Sequence, residues 1–258
     1  MDLPSLLLEE LTAPEIRQAI DAGYSTVIIP SGAVEQHGPH VVLASDTLQA
    51  RAISLRVAAQ LGRTLVAPAI AVGCSDHHMA FAGTITLRSE VFQEIHVDYC
   101  RALARHGFRR IACYSGHGGN FRHLAAVLPR LRDVAAPAMV AAYTDLIEYI
   151  GALRDTVVAS GMDIAKVGGH ADVAESSMVM SLDTRYVRPD RAEVGYQGPL
   201  EDVIARVLRD GLQSVSPNGI LGDATGFNVA LGERCVAALR DLLAAYFESA
   251  AAWGSGPP

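Results

Sequence analysis

No run of basic residues occurs anywhere in this chain, and its formal net charge is −7. Nucleic acid and anionic membrane surfaces are therefore poor partners for it. No apolar stretch approaches the roughly 20 residues that a membrane-spanning helix needs. The opening Met1-Asp2-Leu3-Pro4 has an acid where a secretory leader carries basic residues, so no leader is expected. Cysteine is scarce: Cys74, Cys100, Cys113 and Cys235 lie far apart, with no C-x-x-C. That spacing suits reduced thiols in a cytoplasmic protein and gives no disulfide framework. The serine-nucleophile elbow G-x-S-x-G and the zinc-protease signature H-E-x-x-H are both missing. So are G-x-G-x-x-G and a glycine loop ending in G-K-[ST], which leaves a nucleotide site weakly supported. Tryptophan occurs once, as Trp253.

What remains is a chain of 258 residues, half of them hydrophobic and 19% charged. That is enough for one large globular domain, expected over residues 1–250, with a flexible Gly/Pro-rich tail over 251–258. Four β-branched or apolar runs read as buried strands, over 26–30, 64–70, 109–115 and 138–143. Between and after them, amphipathic segments read as helices over 11–23, 46–61, 89–107, 121–134, 171–182, 199–211 and 229–250. Pro129 is expected to kink or end the fourth of these early. Residues 146–169 read as helix then loop. The alternation implies an α/β fold: a mainly parallel central sheet with helices on both faces, three layers in all.

Polar, Gly-rich segments follow two of the strands. Glu35-Gln36-His37-Gly38-Pro39-His40, with Asp46 just beyond, comes after the first strand. Glu35 and His37 are two apart and leave an extended chain on one side. Glutamate, histidine and aspartate together suit a divalent ion such as zinc or manganese. Gly116-His117-Gly118-Gly119-Asn120 follows the third strand, where His117 can be a metal ligand on a backbone free of bulk. A third cluster, His170 to Ser177, places Glu175 among Val173, Ala174, Met178 and Val179. A carboxylate buried there needs a cation or another partner. Taken alone, each motif also has a bland reading: a solvated polar loop for the first, a Gly-rich turn for the second and an exposed helix face for the third. Ends of parallel strands are where ligands gather, and the first and third strands bring two of the motifs to one edge.

In order, Glu35-Gln36-His37-Gly38-Pro39-His40 with Asp46, Phe81-Ala82-Gly83-Thr84, Gly116-His117-Gly118-Gly119-Asn120 and His170…Glu175-Ser176-Ser177 resemble the motif set of the creatininase family. The resemblance covers residues 26 to about 226. It implies a creatininase-like fold and a metal-dependent hydrolase that cleaves an amide, lactam or peptide C–N bond of a small substrate. Two divalent ions per chain are implied, zinc first, with manganese or iron as alternatives, and a water activated between them. Glu35, Asp46 and His117 would hold one ion, His37 and Asp46 the other, with Asp46 bridging. His170 matches the family's catalytic histidine. Creatininase takes its fifth ligand from a glutamate where this chain has Gly119, so Glu175 is the expected replacement, in a metal-binding and catalytic role. His77, His78 and Phe81, with Asp172 opposite, are the expected substrate contacts, suited to a polar or cationic group near the scissile bond. The family also implies a homo-oligomer, a hexamer. A formamide hydrolase acting on a nucleotide-like precursor and a non-catalytic metal- or ligand-binding module are the alternatives.

Overall fold

In the computed structural model, which describes residues 3–253, the central sheet is built as the sequence predicts. β1 (Thr26–Ser31), β2 (Thr64–Val66), β3 (Arg110–Ser115) and β4 (Met139–Ala142) are all parallel, in the order β2-β1-β3-β4. Alternate side chains feed two cores. Val27, Ile29, Ile111, Cys113 and Val140 face α1 (Ala13–Asp21), α3 (Ser89–His106) and α4 (Phe121–Ala135). Ile28, Ala112, Tyr114 and Ala141 face α2 (Ser45–Leu61), α5 (Leu146–Ala159), α6 (Val173–Leu182) and α8 (Val229–Glu248). Burial on both faces is why these strands read as continuous apolar runs and not as an alternation.

The chain leaves β1 toward β2 on one side and returns to β3 on the other. The carboxyl ends of β1 and β3 therefore form a topological switch point, the usual crevice for a ligand in a parallel sheet. Two glycines let α2 pack across that crevice. A Cβ on Gly32 would stand 2.5 Å from the Thr47 backbone N, and one on Gly116 would stand 2.4 Å from the Asp46 carbonyl oxygen. Any larger residue there would push Asp46 out of the crevice.

Four expectations are corrected. The second strand stops at Val66 because Pro68 cannot continue the ladder, although Ile70 regains a bridge to Ser31. Pro129 does not end α4, which runs on to Ala135. It sits on the exposed side of the helix, as does Ala125 one turn earlier. The expected tail begins too early: Ala250–Trp253 forms a 3₁₀ turn in which Trp253 is buried and donates its indole N–H to the Phe247 carbonyl at 2.9 Å. Residues 254–258 lie outside the described residues. The segment expected as loop before His170 contains a short strand, β5 (Val167–His170), paired antiparallel with β6 (Leu221–Gly222). This second sheet carries His170 to the crevice. α7 (Leu200–Asp210) closes the same side. Among the described residues, no helix is long and apolar enough to cross a membrane.

Candidate active site

Glu35 follows β1 and is wholly buried, and neither of its carboxylate oxygens has a hydrogen-bond partner. An unpaired buried carboxylate costs several kcal/mol, about as much as the structure can spare at one place. The groups around it explain the tolerance. His117 Nδ1 lies 3.2 Å from Glu35 Oε1 and 3.3 Å from Asp46 Oδ2. His37 Nε2 lies 3.0 Å from Asp46 Oδ1 and 3.4 Å from Glu175 Oε1. Despite these short distances, His37 Nε2 and Asp46 Oδ2 make no aligned hydrogen bond. Atoms that converge without pairing are what a shared cation leaves behind.

Among the described residues, three overlapping groups have ligand atoms close enough to hold a metal: Glu35, Asp46 and His117; His37, Asp46 and Glu175; and Glu35, His37 and His170. The donor set, carboxylate oxygens and imidazole nitrogens, fits a borderline divalent ion. The backs of the rings are held as metal-binding histidines require. His117 Nε2 is 3.0 Å from the Cys74 carbonyl, and His37 Nδ1 is 3.1 Å from the Glu35 carbonyl. Electrostatics agree. Burial pushes His37 down, but the Glu175 and Asp46 carboxylates outweigh it and hold the ring well above the ordinary histidine range. His117 is held high in the same way, against burial, by Glu35 and Asp46. Burial opposes ionisation of Asp46, and His37 and His117 overcome it, keeping that carboxyl well below its usual range. The field that keeps protons on two buried imidazoles would equally hold metal cations in their place.

Glu175 reaches the cluster through local strain. Ala171 adopts a left-handed φ of 53°, and its N–H donates to Glu175 Oε2 at 2.6 Å. Gln49 Nε2 donates to Glu175 Oε1 at 3.3 Å. Asp172 departs from the expected substrate contact. It is the N-cap of α6, accepting from the N–H groups of Ala174, Glu175 and Gly169, and both its oxygens are spent on backbone. Burial, with Glu175 nearby, pushes its carboxyl up to about 6.

A cavity of about 340 Å³ opens above the cluster, bordered by Glu35, His117, His170, His77 and His78. Its other wall is the apolar stripe of α7, with Leu200, Ile204, Val207 and Leu208 at helical spacing, continued by Leu212. Arg122 is the one arginine or lysine on its border. Phe81 does not line it. That ring packs instead behind the wall, with Val207 and Leu212. His77 and His78 therefore stand at the cavity as expected, Phe81 and Asp172 do not border it, and the facing wall is apolar. The α7 wall escaped sequence reading because its stripe looks like that of any amphipathic helix; only its adjacency to the crevice is informative.

With this geometry in view, comparison with known proteins is decisive. The family model described as Creatininase: Creatinine amidohydrolase matches residues 9–247. The mycofactocin precursor peptide peptidase of Mycobacterium tuberculosis is 34% identical over 227 residues, covering 84% of this chain and 82% of that protein. The creatinine amidohydrolase of Pseudomonas putida is 29% identical over 201 residues, covering 72% of this chain and 75% of its own length. Among solved structures, a mutant creatininase of the Zn–Zn type superposes with a TM-score of 0.75 at 25% identity, covering 99% of this chain and 100% of that one. This chain belongs to the creatininase family, hydrolases acting on carbon–nitrogen bonds.

Proposed function

We propose that this chain hydrolyses the C–N bond of an amide or short peptide that presents an apolar group to α7, with two divalent ions at the cavity floor. Glu35, Asp46 and His117 would hold one ion; His37, Asp46 and Glu175 would hold the other, with Asp46 shared. Zinc is the expected metal, as in the Zn–Zn creatininase, with manganese or iron as alternatives. The observation that carries the reading is the convergence of unpaired buried atoms of Glu35, His37 and Asp46 directly beneath the cavity. When bound, such ions lower the pKa of water and polarise a carbonyl oxygen. His170, with Nδ1 3.7 Å from Glu35 Oε1, would take the proton from the water and pass it to the departing nitrogen. The apolar wall excludes water and orients the substrate by burial; fully burying one leucine-sized group is worth about 1.5–3 kcal/mol. His77 and His78 border the same space as substrate contacts.

Creatinine is not the expected preferred substrate. The one tryptophan, Trp253, packs against Phe247 and under Arg110 and does not border the cavity. One cation at the rim also fits a phosphate-bearing precursor poorly. Four buried free thiols suit a reducing cytoplasm. The homo-oligomer implied by the family is retained, and light scattering that finds only monomer removes it. The deciding experiment is steady-state kinetics of the zinc-loaded protein on creatinine, small lactams, acyl-leucine p-nitroanilides and peptides. Turnover of apolar-sided amides, abolished by chelation and restored by zinc, is the expected result. Creatinine above every other substrate, or no chelator effect, would overturn it.

A further inference from the structure

Gln36 stands between two metal-ligand candidates, yet its side chain turns away from the cluster and is buried. Its Oε1 accepts from the Gly38 N–H at 2.9 Å, which fixes the orientation of the amide. The NH₂ end then faces three atoms: His78 Nδ1 at 2.9 Å, the Gly219 carbonyl at 3.1 Å and His170 Nε2 at 2.9 Å. An amide has only two hydrogens to give. His170 Nε2 also lies 2.9 Å from the Gln36 backbone carbonyl, which can only accept. One assignment gives every acceptor here a hydrogen, with the 2.9 Å approach of Gln36 Nε2 to His170 Nε2 left as a contact without a hydrogen between the two nitrogens. His170 carries its proton on Nε2 and donates to the Gln36 carbonyl, while the Gln36 amide donates to His78 Nδ1 and to Gly219.

The consequences at the site differ for the two rings. His170 is left with a bare Nδ1, 3.7 Å from Glu35 Oε1 and 4.0 Å from Glu175 Oε2. His78 accepts at Nδ1, so its proton is on Nε2, which points toward Glu35 Oε1 at 3.6 Å. That distance is too long for a hydrogen bond, and no other described group takes this N–H. It stays available beside the cavity.

We propose that Gln36 is a positioning residue that fixes both rings in the Nε2–H form, so that His170 offers the substrate a proton acceptor and His78 offers it a hydrogen-bond donor. The assignment of catalytic roles rests on the hydrolytic reading above; the tautomers do not. In hydrolysis, the proton released by the attacking water passes to His170 Nδ1 and is returned to the departing nitrogen. One water is consumed and the ring ends neutral. His78 exchanges no proton; its N–H faces the carbonyl oxygen on which negative charge gathers, as oxyanion donors do. Gly219 completes the clamp at a φ of 77°, where an added Cβ would stand 2.0 Å from Gln36 Oε1.

The test uses the zinc-loaded protein labelled with ¹⁵N-histidine, and an acyl-leucine p-nitroanilide as substrate. Both rings are expected to show protonated Nε2 and unprotonated Nδ1. Gln36→Met, which keeps the bulk and removes the donors, should keep the wild-type zinc content and bring Nδ1 protonation into the His78 signal. It should lower kcat by roughly 10²–10³ with KM changed less than about threefold. His78→Phe should match that loss, and His78→Gln, which restores an N–H, should recover at least about tenfold of it. A wild-type His78 protonated at Nδ1, or Gln36→Met with unchanged spectra and kcat, would overturn the proposal. Absence of turnover by the wild-type protein would strike the hydrolytic reading instead, and the spectra, which need no substrate, would still decide the tautomers.

Discussion

The two halves of the carboxylate cluster are built differently. Glu35, Asp46 and His117 come from the ends of adjacent central strands and the helix packed across them, and each is at most 3% exposed. Their spacing is set by the parallel ladder and by the close approaches at Gly32 and Gly116. His37, Asp46 and Glu175 reach from the same loop to α6, outside the main sheet, and the Glu175 side chain is 15% exposed. This outer half depends on the Asp172 cap, the left-handed Ala171 and the Gln49 bond. A site mounted on a sheet cannot relax far, whereas one closed by a helix end can. The inner half should therefore bind its ion more tightly, and the outer half should empty first.

Asp46→Ala is expected to have the largest effect, because it removes the group common to both halves. Elemental analysis should find almost no metal and hydrolysis should fall to background; about two ions retained per chain would break the scheme. Glu175→Gln comes next and sharpens the contrast. It should release one ion, keep the inner one, and weaken metal retention more than tenfold at the outer half alone, read by stepwise chelator titration. Adding Gly119→Glu to that variant should not restore the ion. A Cβ at residue 119 would stand 2.3 Å from His117 Nε2 and 2.9 Å from the Cys74 carbonyl, so the new side chain would disturb the inner half first.

Metal loading should also release protons. His37 and His117 both titrate well above the ordinary histidine range, so the metal-free protein carries their protons at neutral pH. Affinity should fall as pH is lowered. The stability these imidazolium–carboxylate pairs lend the metal-free protein is present at low pH and is lost as pH rises through their raised pKa values. Calorimetry in buffers of different ionisation enthalpy measures the release, and a buffer-independent heat would refute it.

The smallest effect tests whether an unpaired buried atom alone makes a site. His96 Nε2 is also buried without a partner, but no carboxylate approaches it and its pKa is pushed down to about 4 by burial. Its contribution is full above the unfolded value near 6.5 and is lost as pH falls toward 4. The loss is at most about 3.5 kcal/mol at about 1.4 kcal/mol per unit. His96→Met should flatten acid unfolding in that window without changing metal content; an unchanged profile would count against the assignment.

Much of the site is legible before folding because its signals are local. Glu35, His37 and His117 stand directly after buried strands, and Glu175 is a carboxylate inside an apolar helical stretch. Asp172 misleads because an acid beside a suspected ligand reads the same whether it caps a helix or faces a substrate. Three backbone N–H groups decide between those, and they exist only once α6 has formed. Gln36 is silent for a similar reason: its partners are residues 38, 78, 170 and 219.

By itself the sequence determined the alternation of strands and helices, the sheet's burial on both faces and the donor types at the crevice. Each of these rests on periodicity or composition within a dozen residues. Only the tertiary structure decided that Asp172 is spent on backbone N–H groups, that Gln36 contacts His78 and Gly219, and that α7 lines the cavity with hydrocarbon. The last two depend on close approaches between segments far apart in the chain, such as Glu35 and Leu208 across one cavity. No local pattern encodes such a distance, because it is set by how whole elements pack.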